Sequence, residues 1–234
     1  MDSAPPDSPA AGPALPATVP LSALAARVLG CLIEKEFATP DIYPLTLNAL
    51  LNACNQKSNR EPVMAVTARE VETALDELRY QRLAAVFAGA DARVQKYKQK
   101  IDLVHPVDPV ARALLGELLL RGPQTAAALR GNAERLHPMP PLPEIDAILG
   151  ELTRRPAGPL VRKLPRQPGQ KEARWAQLLT GEPVAGSEAA AAAEPLTVTL
   201  TLPPEVEQRL AALEAEVGRL RTELARLRKS LGEN

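Results

Sequence analysis

Three lysines at alternate positions, Lys96, Lys98 and Lys100, fall in the run Val94-Gln95-Lys96-Tyr97-Lys98-Gln99-Lys100. If the run is extended, its two-residue period places all three ammonium groups on one face. Such a row is suited to neutralising the phosphates of a nucleic-acid backbone, and Arg93 extends it. A second basic stretch, Arg162, Lys163, Arg166, Lys171 and Arg174, surrounds a Pro168-Gly169 turn and holds a single acid, Glu172. It is a second candidate for phosphate contact. The plainer alternative is that lysines on a short edge strand only prevent edge-to-edge aggregation, and that arginines beside a turn are solvated. The amide-rich segment from Asn48 to Pro62 contributes Lys57 and Arg60 as further candidates. Its Asn and Gln side chains are read chiefly as caps and turn-formers.

These side chains need a scaffold, and the apolar spacing supplies one. Helices are expected over residues 22–36 and 45–55, and a third is opened by the capping box of Thr67 and Glu70 and ends near 81. A hairpin follows: an apolar run at 83–88, turn residues at 89–91 and an extended run at 92–101. The order then recurs, with helices over 109–121, 124–131 and 143–154 and strands over 160–164 and 173–178. Ala74, Leu75, Glu77 and Leu78 are echoed by Ile148, Leu149, Glu151 and Leu152, and Ala92-Arg93 by Ala173-Arg174, as a duplicated unit would require. The expected fold class is mostly α within α+β: two tandem winged helix-turn-helix domains followed by a C-terminal coiled-coil helix. The domain plan is a disordered Pro/Ala-rich tail at 1–20, winged-helix domains at 21–104 and 105–180, a linker at 181–203 and the coiled coil at 204–232.

The coiled coil rests on Val206, Leu210, Leu213, Val217, Leu220, Leu224, Leu227 and Leu231, spaced alternately by four and three. Flanking charges pair attractively in a parallel dimer: Arg209 with Glu214, Glu216 with Arg221, Glu223 with Arg228. A parallel homodimer is expected. A trimer, or a helix folded back onto its own chain, stays open at this point.

Composition bounds the rest. Twenty-eight Lys and Arg balance 28 Asp and Glu, so any cationic surface must be local. The third helix carries Arg69, Glu70, Glu72, Asp76, Glu77, Arg79 and Arg82, and the sixth carries Glu144, Asp146 and Glu151 before Arg154 and Arg155. Acids there argue against insertion into the major groove. GxSxG, Walker, GxGxxG and HExxH patterns are all missing, which argues against an enzyme. His105 and His137 each precede a proline and lack a ligand-spaced neighbour, so neither metal nor cofactor is expected. Cys31 and Cys54 read as reduced, buried small hydrophobes, which points to the cytoplasm, and no apolar run suggests a membrane partner. Trp175, on the last strand, reads as a core anchor.

A resemblance sharpens this picture. The stretch ARVLGCLIEKEFATPDIYPLTLNALLNACNQKSNREPVM, Ala26 to Met64, resembles the signature of the YceH family of uncharacterised bacterial proteins. The likeness continues through LLLRGPQTAAALRGNAERLHPM, Leu118 to Met139, and LVRKLPRQPGQKEARWAQLL, Leu160 to Leu179. It implies paired winged-helix domains in a bacterial cytosol and carries no biochemical activity with it. The segment from Pro140 to Pro143 is more proline-rich than that family's pattern. The function expected is a dimeric regulator that binds double-stranded DNA through two basic wings. The alternative is a non-enzymatic adaptor whose acidic helices hold an unidentified protein, similar in architecture alone to segregation and condensation protein B.

Overall fold

A computed structural model describes residues 19–87, 94–183 and, near the C-terminus, 216, 217, 219, 220 and 223. Two units are distinguished, Met1–Ser187 and Glu188–Asn234.

The first unit is mixed α and β, with seven α-helices among the described residues. Its first half begins with α1, Ala23–Ala38, capped by the Ser22 hydroxyl, which accepts the Ala25 N–H. A short 3-10 turn and the two-residue strand β1, Leu45–Thr46, lead into α2, Leu47–Cys54. The second helix thus starts later than its apolar pattern suggests, because Thr46 is its cap and Leu45 is in the sheet. α3, Ala68–Tyr80, opens with the expected reciprocal box between Thr67 and Glu70. It ends where Arg82 takes φ 60°, the left-handed region, and the Leu83 N–H reaches back to the Leu78 carbonyl. That turn delivers the chain into β2, Ala84–Phe87, which pairs with β3, Lys96–Gln99.

Strand order is β1-β3-β2, all antiparallel, with Tyr97 opposite both Leu45 and Val86. β3 is shorter than the extended run of the sequence. Ile101 leaves it to begin α4, Ile101–Val104, buried rather than extended, and residues 92 and 93 lie outside the described residues.

The second half repeats this order. α5, Pro109–Arg121, is capped by Asp108; α6, Ala126–Ala133, by Thr125. α7, Leu142–Thr153, leads to the hairpin of β4, Val161–Lys163, and β5, Trp175–Gln177. Gln124, between α5 and α6, bridges to Trp175 through two backbone hydrogen bonds. It takes the place that β1 takes in the first half, so β5, like β3, is flanked on both sides.

The halves share one core. α1 is buried continuously from Ala25 to Glu34, and α5 at Ala111 and from Ala113 to Leu120. Helices enclosed all round are the centre of a core and not its surface. They pack against each other through glycine: a Cβ on Gly30 would stand 3.0 Å from Leu119 Cβ, and one on Gly116 would stand 2.8 Å from Ile33 Cγ2. Cys31 and Cys54 are buried free thiols. No helix among the described residues is long and apolar enough to cross a membrane.

In the second unit, the described residues of the heptad segment are helical, and an Arg219–Glu216 ion pair spans 3.5 Å. Val217 and Leu220 are 47% and 56% exposed. Val206, Leu210, Leu213, Leu224, Leu227 and Leu231 lie outside the described residues.

The helix crossing generates a test. Gly116→Val places methyl groups where Ile33 already sits, and overpacking of this kind costs about 1 to 3 kcal/mol. Urea unfolding should show that loss as one cooperative transition reported equally from both halves.

Candidate nucleic-acid interface

On β3 the two-residue period separates the side chains as expected. Tyr97 and Gln99 are buried, whereas Lys96, Lys98 and, just beyond the strand, Lys100 are part-exposed. Tyr97 holds the strand to the core, and the Tyr43 hydroxyl accepts the Gln99 N–H at 2.6 Å. Burial pushes the Tyr43 phenol up from its ordinary pKa, a shift opposed by that backbone hydrogen bond and reinforced by Glu36. The Gln99 amide donates to Glu36 and accepts from the Ile101 N–H, both at 2.8 Å. The lysine face is therefore fixed from behind by buried polar contacts. On its front, Lys98 Nζ lies 5.3 Å from the centre of the Phe87 ring. A cation so placed is attracted by the ring's electron-rich face.

The pairing of β3 weakens the edge-strand explanation for Lys96. Lys96 is paired with Thr46 on one side and Phe87 on the other, so it occupies the middle strand. A middle strand needs no protection against edge pairing. Arg93 lies outside the described residues.

The second hairpin is built alike. Trp175 is 5% exposed beneath it, and Lys163 Nζ lies 5.3 Å from the centre of its ring. The Leu164 N–H donates to the Arg174 carbonyl at 2.7 Å, and Gly169, at φ 85°, turns the tip. Arg166 and Lys171 are exposed, and Arg174 is half-buried. Arg162 is paired with Glu182, which offsets part of the hairpin's charge.

Arg60 requires a correction. Its side chain is fully covered and forms a double hydrogen bond with Glu34, at 3.1 and 2.5 Å, while donating to the carbonyls of Ala53 and Asn59 and to the Gln56 amide oxygen. A planar guanidinium has five donors, and satisfying them internally leaves none for phosphate. The amide-rich segment is a scaffold around this arginine. Asn55 copies a backbone group, accepting the Val66 N–H and donating to the Val66 carbonyl. Lys57, by contrast, is exposed.

Arg60 belongs to a buried ionic cluster that joins the halves and that no sequence motif signals. Glu34 from α1 also pairs with Arg135, at 2.7 Å, and Arg135 with Glu117 from α5, at 2.5 Å. Arg121 approaches Glu117 at 3.3 Å and also donates to Asn59. Both carboxylates are covered, yet their proton affinities move in opposite directions. For Glu34, burial raises the pKa, but the hydrogen bonds and charge of Arg60 and then Arg135 outweigh it and hold the group at about 2. For Glu117, burial prevails over Arg135 and Arg121, and the pKa rises. The difference follows from the hydrogen bonds: Glu34 accepts two from Arg60 and one from Arg135, whereas Glu117 accepts one from Arg135, and Arg121, though 3.3 Å away, leaves its Oε2 without a hydrogen bond among the described residues.

Among the described residues no three His, Cys, Asp or Glu side chains gather as a metal site. What the first unit presents is a mixed α+β scaffold in which an order of three helices and a hairpin occurs twice, each hairpin carrying Lys and Arg side chains. The chain matches the family described as "Protein of unknown function, DUF480" over residues 21–170. It is 52% identical to a UPF0502 protein of Geobacter sulfurreducens, with 83% of this chain and 87% of that one covered. It is 49% identical to a UPF0502 protein of Geotalea uraniireducens, covering 91% and 95%, and 47% identical to one from Acidovorax sp., covering 92% and 96%. The chain belongs to this bacterial family, in agreement with its resemblance to the YceH proteins.

The ionic cluster sets a pH dependence. A carboxylate whose folded pKa is depressed stabilises above its unfolded value and loses that contribution as pH falls toward the folded one. With Glu34 near 2 and an unperturbed glutamate near 4.5, the loss falls between about pH 5 and pH 2. Glu34→Gln leaves Arg60 buried without its counter-charge and should cost roughly 3 kcal/mol at pH 7. In chemical denaturation from pH 7 to pH 2, the variant should show a correspondingly flatter acid limb.

Proposed function

We propose that each half of the first unit is a winged helix and that the protein is a non-enzymatic regulator, binding double-stranded DNA through the phosphates. The observation carrying this reading is the lysine face of β3: Lys96 between two partner strands and Lys98 beside β2, anchored from behind by Tyr97 and Gln99, with neither lysine within ion-pair distance of a carboxylate among the described residues. Lys100, Lys163, Arg166, Lys171 and Arg174 extend the cationic surface, with Lys57 as a further contact. Arg60 is withdrawn from it and Arg162 contributes less.

The third helix of each half does not read bases under this proposal. On α3, Glu70 is occupied by its cap, Asp76 pairs with Arg79 at 2.8 Å, and Glu77 accepts from the Ser22 backbone and hydroxyl, both at 2.7 Å. Exposed Glu72, and on α7 Glu144, Asp146 and Glu151, would repel phosphate. Affinity is then dominated by backbone charge and is steep in salt. The same acidic helices favour a second reading, an adaptor that holds a basic protein partner.

The heptad segment supports a parallel homodimer. Val217 and Leu220 lie on its a/d stripe and are exposed in the single chain. Two copies double the phosphate contacts.

Two measurements check this. Changing Lys96, Lys98 and Lys100 together to Ala should weaken binding to random duplex in fluorescence anisotropy and lower the magnitude of the log–log salt slope by up to ~3. An unchanged slope removes the first hairpin from the interface. Val217→Lys combined with Leu220→Lys should halve the mass found by sedimentation equilibrium; an unchanged mass excludes the heptad stripe as the dimer contact.

A further inference from the structure

Two free thiols meet where α1 packs on α2: Cys31 and Cys54 are both fully covered, and the Cys54 thiol donates to the Cys31 sulfur. Cysteines enclosed by hydrocarbon alone are inert. These two are bracketed by guanidinium groups. Arg27 and Cys31 stand one turn apart on the same face of α1. Arg27 Nη1 reaches the Cys54 carbonyl at 3.5 Å, and Nη2 donates to the Pro62 carbonyl at 2.7 Å. Arg60 Nε donates to the carbonyl of Ala53, the residue before Cys54, at 3.0 Å.

The two arginines differ in their counter-charges. Arg60 is held by Glu34. Arg27 is 2% exposed, no carboxylate lies within ion-pair distance of it among the described residues, and its Nε is buried there without a hydrogen-bond partner. A guanidinium keeps its proton in a protein, and a buried charge left alone is costly. An anion beside Arg27 is therefore called for, and Cys31, one turn away, is placed to supply it. Burial raises the Cys31 pKa, but the Cys54 hydrogen bond and the charges of Arg60 and Arg27 together outweigh it, and the net shift is downward. Cys54 is pushed up, first by its hydrogen bond to Cys31 and then by burial. It is also the last residue of α2, the end at which a helix dipole disfavours an anion. The environment thus assigns the thiolate to Cys31 and the thiol to Cys54.

We propose that Cys31 and Cys54 form an oxidation site, at which a small hydroperoxide converts the pair to an intrachain disulfide joining α1 to α2. The Cys31 thiolate attacks one peroxide oxygen and the O–O bond breaks. That oxygen stays on the sulfur as a sulfenic acid, and the other leaves as hydroxide and takes a proton from solvent. Cys54 then attacks the sulfenic sulfur: the S–S bond forms, the S–O bond breaks, and the hydroxyl departs with the Cys54 proton as water. The thiols are oxidised, and hydrogen peroxide is reduced to water. Full burial confines the site to a small oxidant. Asn55 and Gln56, half-buried directly after Cys54, bring the surface close to it at a helix end, where fraying is expected. The proposal concerns the free protein and does not rest on duplex binding, so either can fail alone.

The full chain, reduced and then exposed to hydrogen peroxide, is unfolded in N-ethylmaleimide and weighed by mass spectrometry. The unaltered protein should lose two hydrogens and both alkylation sites, and should run as a single chain in non-reducing denaturing electrophoresis. Cys54→Ser should instead accumulate a sulfenic acid at Cys31, captured by dimedone, whereas Cys31→Ser should leave Cys54 unmodified over the same interval. Arg27→Met keeps the stem and removes the charge, and should slow the loss of thiols about 10-fold, with a native-like circular dichroism spectrum showing that it folds. If that variant does not fold, the two serine variants decide. Retention of both thiols in the unaltered protein, a disulfide formed only between chains, equal reactivity of the two serine variants, or an unchanged rate in folded Arg27→Met would overturn the proposal.

Discussion

The packing of α1 against α5 is the constraint on which the first unit depends. Each is the opening helix of its half, and each is surrounded on all sides, so neither half can be drawn as an independent bead on a flexible string. Glycine at positions 30 and 116 removes the side chains that would hold the axes apart, and Leu119, Leu120 and Ile33 fill the space gained. The cluster of buried Glu34, Glu117 and Arg60 with the exposed Arg135 crosses the same seam. Such clusters are not strong stabilisers in themselves, since desolvation offsets most of the attraction. Their effect is selective: any other docking of the helices would strand a charge in the core.

That selectivity bears on the hairpins. Each grows from a half whose orientation is set at the seam, so both hairpins are carried by one unit with a common core. The aromatic contacts act at shorter range. Phe87 beneath Lys98, and Trp175 beneath Lys163, hold flexible stems over flat rings. The two side chains then keep less rotamer freedom than lysines standing free in solvent.

Local rules made most of the elements legible. Thr67 and Glu70 form the box that their spacing implies, and the alternation along Lys96–Gln99 divides its side chains between core and surface. What stayed hidden was set by contacts distant in sequence. Leu45 and Thr46 look like the start of a helix until their pairing with Tyr97 and Lys96 is known. Arg60 looked like a surface cation because its neighbours are polar, but Glu34 lies 26 positions away on another helix. Arg135 and Glu34 are separated by 101 positions, and no spacing rule reaches so far. Glycine at 116 reads as a weak point in a helix until the partner surface shows why a larger residue is excluded.

Trp175 is the chain's single tryptophan, and an ammonium group rests over its ring. Its emission is therefore a built-in optical report on the second hairpin. Any anion that draws Lys163 away alters the electric field across the indole, without a dye and without changing a residue.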